Sequence, residues 1–315
     1  MRKIIILMYL IFPLMLFSQE KITQESITVA DKYLNISKFQ NSFKQNVGGS
    51  TDNAVSVIVN DDFTSQHGSS MVNIIESVKV SNDVRTVSRD ASKPSIDCRA
   101  AGNKGQRLKC ELTSDVERLL KKGNVRVWNE SNGWPVSVKI KQDIDYAAMT
   151  SQFKKLLRKY DVMYVVSSGN NIEDFNSRNI KTLVNNSLDN MFTVAQFGID
   201  PESGKPVMEH GMFFWAPDFS VLGEYITVDS KGTYTAYEGT SNAAAVTSAI
   251  IAQYYSIMPC WSSVDMKRFI YATLQPAKDI GLKDIWTKTK KYLAYSDKIF
   301  DKAFLKANNI RVCEE

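Results

Sequence analysis

Histidine is scarce in this chain of 315 residues, with His67 and His210 its two examples. No Cys-x-x-Cys pair occurs among the four cysteines, so a zinc site built from the usual His and Cys ligands is a poor reading. Beyond the first residues there is no apolar run long enough to make a membrane helix. Glycine and proline are not enriched, and no repeat or low-complexity tract is present, which excludes solenoid and disordered-linker architectures. The formal net charge is +5, yet Lys and Arg are interspersed with acids instead of forming a stripe. That pattern argues against a nucleic-acid partner. A Gly-x-Ser-x-Gly pentapeptide followed by Asp and His is also missing, which disfavours a serine esterase of the α/β-hydrolase kind.

What is present begins with an export pattern. Arg2 and Lys3 precede an apolar run from Ile4 to Phe17, and Ser18-Gln19-Glu20 opens a polar stretch. The run is short for a bilayer span, so residues 1–18 are expected to be a signal peptide. The mature chain is then expected to be secreted or periplasmic, with no membrane span after cleavage. Lipid attachment is not expected, because no Cys follows the run. About 295 residues remain, enough for one large α/β domain with a sizeable core. In an exported protein the even cysteine count suggests disulfides, and four cysteines allow three connectivities. The favoured pairing is Cys98–Cys110, closing a polar loop, and Cys260–Cys313, stapling the C-terminal tail to a core helix.

From Ala54 onward, short β-branched runs alternate with helical spacing. Val55 to Val59, Val125 to Trp128, Val162 to Val166 and Phe192 to Ala195 read as buried strands. Helices are expected after His67, from Thr113 or Ser114 to Leu120, from about residue 145 to 160, around residues 180–188, and from Ser241 to about Ile257, with another over Val264 to Leu274. Gly204-Lys205-Pro206 suggests a hairpin turn. Strands alternating with helices predict an α/β fold: a mostly parallel central sheet with helices on both faces. Residues 19–53 read as an N-terminal extension, and residues 54–315 as the domain with its C-terminal tail. Ligands bind such sheets at the carboxyl ends of the strands, where Asp61, Gly133 and Asn170 fall.

Serine needs a base to take its proton, a group to orient that base, and donors for the developing oxyanion. Gly239-Thr240-Ser241 runs into Asn242-Ala243-Ala244-Ala245, a helix of small residues, and resembles the nucleophile motif of the subtilases. His67-Gly68-Ser69 before an apolar helix resembles the histidine motif of that family, with Ser69 in place of the usual Thr and Ser70 in place of a second His. Asp61 and Asp62 both end the preceding strand; Asp61 is favoured as the acid, in a form with a short link to the histidine. Ser168-Gly169-Asn170 resembles the oxyanion segment. Ser131-Asn132-Gly133, within Asn129 to Gly133, resembles the strand edge that pairs with substrate. Trp215-Ala216-Pro217 fits the same layout. Asp, His, Asn and Ser stand in the chain order of subtilisin. Ala245 departs from the family pattern, which usually has Pro there.

The resemblance covers roughly residues 54–275 and implies a subtilisin-like serine endopeptidase. Ser241 would be the nucleophile, His67 the base, Asp61 the orienting acid and Asn170 an oxyanion donor. Ser131, Asn132, Gly133, Ser168 and Gly169 would bind substrate, which would be a peptide or protein. No cofactor or catalytic metal is implied. The family often binds structural calcium, but no acidic loop suited to it stands out. About 35 residues separate the signal from the first core strand, too few for an independently stable propeptide domain, so folding without one is expected. The alternative is a catalytically impaired relative that binds peptides or a partner.

Overall fold

A computed structural model describes residues 30–91, 98, 110–131, 146–170, 189–200, 202–210, 217–228, 234–237, 239–282, 287 and 289–314. The strands are β1 Val55–Asp61, β2 Val84–Asp90, β3 Val125–Glu130, β4 Met163–Ser167, β5 Met191–Ile199, β6 Pro206–His210, β7 Phe219–Leu222, β8 Tyr225–Val228, β9 Tyr234–Tyr237, β10 Gln275–Pro276 and β11 Lys291–Tyr292. The α-helices used below are α1 Ile36–Val47, α2 His67–Val78, α3 Val116–Lys122, α4 Tyr146–Lys159, α5 Thr240–Ile257, α6 Ser263–Thr273 and α7 Lys302–Ala307. The main sheet runs β10-β11-β7-β5-β4-β3-β1-β2, with β6 added to β5. Every pair from β2 across to β7 is parallel. The ribbon of β8 and β9 is separate and antiparallel.

Parallel strands are covered on both faces, so they must be apolar on both. Accordingly β4 is buried along its whole length, and β5 everywhere but its last residue. Alternation sends Val57, Val59, Val127 and Val165 to one face, where they share a core with residues of α2, α5 and α6. Ile58, Trp128, Tyr164 and Val166 go to the other face and pack with Leu120 of α3 and with Phe153 and Leu157 of α4. This is the mostly parallel α/β sheet expected from the sequence.

Helix α5 is buried on every side from Asn242 to Ser256, and the hydroxyls of Thr247, Ser248 and Ser256 are satisfied by its own carbonyls. Thr247 and Ser248 donate to the Ala243 and Ala244 carbonyls, each at 2.8 Å. Helix α6 begins in a capping box, in which Ser262 Oγ accepts from Asp265 N and Asp265 Oδ2 accepts from Ser262 N. Within the segment expected to be an extension, Leu34, Phe39 and Phe43 are buried in the main core. Phe39 stacks on Tyr295 at 4.5 Å.

Both favoured disulfides form, with Cα atoms 5.6 Å apart for Cys98–Cys110 and 5.8 Å for Cys260–Cys313. The expected hairpin is the β5–β6 connection, where Asp200 Oδ1 accepts from Glu202 N and Ser203 N, and Gly204 has φ +63°. Thr113 and Ser114 differ from expectation. They sit inside a π-helical turn, Glu111–Asp115, that runs directly into α3, so neither caps a helix. The signal segment, the helix expected over residues 180–188, and Trp215-Ala216 lie outside the described residues. Among the described residues no helix is long and apolar enough to cross a membrane.

Candidate active site

Asp61 is the last residue of β1 and fully buried. Pleating puts it on the same face as Val57 and Val59, toward α2 and α5. His67 is the first residue of α2, and its Nδ1 lies 2.7 Å from Asp61 Oδ1. The imidazole side chain is 31% exposed. A carboxylate oxygen can only accept, so Nδ1 donates, and in the neutral ring Nε2 is the nitrogen left to accept.

The sequence left Asp61 and Asp62 as rivals, and the geometry separates them. Asp62 turns its carboxylate to the loop, where Oδ1 accepts from Thr64 N at 2.8 Å, Thr64 Oγ1 at 2.5 Å and Ser65 N at 3.3 Å. Its carbonyl accepts from Gly68 N and from Ser65 Oγ, each at 3.1 Å. Asp62 therefore folds the short link that delivers His67 to Asp61. Gly68 is needed in that link, because a Cβ there would sit 2.9 Å from the Phe63 ring. The turn role of Asp62 was missed in the sequence, although Asp two residues before Thr is a familiar Asx-turn signal.

Ser241 lies in the first turn of α5, where the helix dipole favours negative charge. The chain enters the helix at Gly239 with φ +143°, and a Cβ there would also meet the Asn170 amide at 3.1 Å. Glycine is thus required at 239 on both counts. Asn170 follows β4, and its Oδ1 accepts from Thr240 N at 2.9 Å and Thr240 Oγ1 at 3.0 Å. That pairing fixes the amide with its oxygen toward the helix and leaves both Nδ2 hydrogens to donate elsewhere. Thr240 Oγ1 in turn accepts from Gly169 N at 3.1 Å, and Gly169 has φ +89°. Ser168 N donates to Val194 O at 3.0 Å, which ties that segment to β5.

The Ser241 hydroxyl donates to the carbonyl of Ser131, just beyond β3, at 2.8 Å. Ser167 Oγ donates to the same carbonyl at 3.0 Å. A hydroxyl has one proton, so in this rotamer Ser241 does not donate to His67. Ser131 Oγ lies 2.8 Å from Asn129 Oδ1 and 3.1 Å from the Ser241 carbonyl, which joins the β3 end to the start of α5. Asn132 and Gly133 lie outside the described residues. The described candidates thus gather at the carboxyl ends of β1, β3 and β4 and at the start of α5. Ser167 joins them unforeseen, as a common hydroxyl residue that nothing in the sequence marks, and Thr240, quoted within Gly239-Thr240-Ser241, gains a contact with Asn170 that the motif did not announce.

A parallel α/β sheet with an Asp–His couple ending one strand and a serine in the first turn of a buried helix describes a class of proteins. The chain belongs to the subtilase family, whose model matches residues 23–297. Solved structures agree in fold. One, from work on the assembly of the subtilase cytotoxin SubAB, has TM-score 0.58 at 15% identity and covers 89% of this chain and 97% of that one. The prenylagaramide maturation protease PagA has TM-score 0.55 at 15% identity, covering 83% and 98%. A cold-adapted subtilisin-like serine proteinase has TM-score 0.53 at 16% identity, covering 78% and 90%. No curated protein matches the chain significantly.

Proposed function

We propose that this protein is a serine endopeptidase that works outside the cytoplasm on peptide or protein substrates. The observation that carries the reading is the 2.7 Å contact between buried Asp61 and His67 at the strand ends where the helix bearing Ser241 also begins. Ser241 Oγ attacks the scissile carbonyl while His67 Nε2 takes its proton and later passes it to the leaving amine. Asp61 holds the imidazole tautomer and stabilises its charged form. Asn170 Nδ2 and the Ser241 N–H receive the oxyanion, and water releases the acyl-enzyme. An extended substrate pairs along residues 131–133 and beside Ser168 and Gly169. Its backbone N–H competes for the Ser131 carbonyl, so substrate binding releases the Ser241 hydroxyl toward His67.

A second reading rests on that same Ser131 contact: with its hydroxyl held away from the base, the protein binds peptides without cutting them. A fluorophosphonate probe separates the two. Labelling of the wild type that is lost in Ser241→Ala supports the peptidase. Folded wild type that takes no label, and cleaves no member of a peptide library, supports the binder.

A further inference from the structure

The sheet face opposite Asp61 carries a buried polar ladder that the proposed chemistry does not use. Arg89 of β2, Asn60 of β1 and Glu130 of β3 are register partners across adjacent strands. Their neighbours on that face, Ile58, Trp128, Tyr164 and Val166, are apolar apart from the Trp and Tyr polar tips, and all are fully buried. Asn60 and Glu130 are each 1% exposed. Burying such groups costs desolvation free energy, and the following hydrogen bonds offset part of it. Asn60 Nδ2 donates to Glu130 Oε2 at 2.7 Å, and Trp128 Nε1 donates to the same oxygen at 3.3 Å. Arg89 donates to Asn60 Oδ1 through NH1 and to Asp115 Oδ2 through Nε, the latter at 3.3 Å. Asp115 also accepts from Arg118 at 2.5 Å. It ends the π-helical turn that follows Cys110, so the ladder is anchored beside the Cys98–Cys110 disulfide.

The placement of the ladder gives it a consequence. The residue after Asn60 is Asp61, which holds His67; the residue after Glu130 is Ser131, whose carbonyl holds Ser241 Oγ. Strand ends fray when nothing ties them, and a one-residue slip reverses every side chain. We propose that Glu130 is a positioning residue: by accepting from Asn60 and Trp128 it fixes the ends of β1 and β3 against each other, and so sets Asp61 relative to Ser131. The kinetic part of this claim rests on the peptidase reading above.

The test compares Glu130→Leu with Glu130→Gln. The Gln amide oxygen can accept the same two N–H groups without the charge, whereas Leu leaves both donors buried and unpaired. With a peptide substrate, Glu130→Leu is expected to lower kcat by about tenfold to a hundredfold while KM stays within about threefold. Glu130→Gln should restore kcat to within about threefold of wild type, because the acceptor for both N–H groups is kept; the cost of a buried NH₂ in place of the second carboxylate oxygen falls on thermal stability. Equal impairment of Leu and Gln, or wild-type kcat in a folded Leu variant, overturns the proposal. Arg89→Met, at the edge-strand end of the ladder, covers a Leu variant that does not fold: it should cut kcat by about threefold to tenfold, and no loss counts against the ladder.

A second readout needs no catalysis. In protein labelled with ¹⁵N-histidine, the His67 Nδ1–H proton facing Asp61 should give a far-downfield resonance, assigned with His210→Gln. It should persist in Glu130→Gln and vanish in Glu130→Leu; persistence in both refutes the positioning role. If wild type does not cleave, or Ser241→Ala cleaves as well as wild type, the peptidase reading fails while this resonance still decides the role of Glu130.

Discussion

Replacing Asp61 by Asn tests the geometry of the site most directly. The Asp61 Oδ1 atom accepts from two groups at once, Asp62 N and His67 Nδ1, each at 2.7 Å. Oδ2 is buried and has no hydrogen-bond partner among the described residues. If the Asn oxygen keeps the Oδ1 position, the amide NH₂ lands where Oδ2 was and is buried unpaired, at a cost of about 1–3 kcal/mol. If the amide flips, NH₂ faces two donors, and the imidazole must move its proton to Nε2, where it no longer acts as a base. Both outcomes remove the negative charge that stabilises the imidazolium formed during attack. Two unit charges with centres about 4 Å apart interact by about 4 kcal/mol at an effective dielectric of 20, equivalent to nearly a thousandfold in rate. Solvent at the imidazole, which is 31% exposed, screens part of this. The expected result is a fall in kcat of about a hundredfold to a thousandfold on a fluorogenic peptide, with KM little changed. Asp62→Asn is the control, because its amide oxygen still accepts from Thr64 N and Ser65 N; its kcat should stay within about threefold of wild type. A folded Asp61→Asn protein within tenfold of wild type, or equal losses in the two variants, would refute the assignment.

Thr240→Val removes a hydroxyl donor to Asn170 Oδ1 and the acceptor for Gly169 N, so the amide of Asn170, the proposed oxyanion donor, keeps only one of its two contacts with Thr240. A loss in kcat of about tenfold is expected, together with a fall in melting temperature of a few degrees, about 1–3 kcal/mol, for the buried Gly169 N–H left without that acceptor; an unchanged kcat would mean that the backbone N–H of Thr240 orients the amide alone. Breaking Cys260–Cys313, which spans 53 residues, should destabilise by about 4 kcal/mol on the chain-entropy model, read as a fall of about 8 °C or more in a melting experiment. Burial raises the Asp83 pKa, but hydrogen bonds from Thr51 N and the Ser81, Ser50 and Thr51 hydroxyls outweigh it and hold the carboxyl below its usual range. A depressed carboxylate stabilises the fold above its unfolded pKa and loses that contribution as pH falls through the folded value. Asp83→Asn should therefore lower the melting temperature by about 2 °C at pH 7, with the difference shrinking as the pH falls below the usual carboxylate range and through the folded value. A gap that persists in acid would show that the hydrogen bonds act independently of charge.

The parts of the fold that were legible in the sequence are those governed by short-range pattern. β1, β3, β4 and β5 are runs of apolar and β-branched residues, and a strand buried on both faces leaves no other composition available. Helix α5 was legible for the related reason that a run of small and apolar residues is tolerated only in a fully covered helix. The edge strand β2 went unread: Val84–Asp90 alternates polar residues with few apolar ones, because among the described residues no strand pairs with its outer side. β10 and β11 are two residues each, too short to carry any period. Thr113 and Ser114 misled for a physical reason as well. Both residue types suit an N-cap, but the helical turn already begins upstream, where the disulfide at Cys110 fixes the backbone.

The candidate site divides along the same line. Residues that must be of one type at one spacing could be found from the chain alone: Gly239 before Ser241, where φ is +143°, and Gly68 after His67, where a ring fills the space of a Cβ. The contacts that join residues distant in sequence could not, even where the residues themselves were named. Asn170 and Thr240 are 70 positions apart, Ser131 and Ser241 110 apart, and Asn60 and Glu130 70 apart. Nothing in an Asn or a Glu at a strand end distinguishes a solvated residue from a rung of a buried ladder until the neighbouring strand is in place. The choice between Asp61 and Asp62 shows how narrow that gap is. One position along a strand reverses the side chain, so a single pleat decides which carboxylate meets the imidazole and which folds the turn. Because the link from Asp61 to His67 is so short, that turn has no slack to correct an error. The hydrogen bonds Asp62 makes within it are therefore as necessary to the Asp61–His67 contact as the two residues themselves.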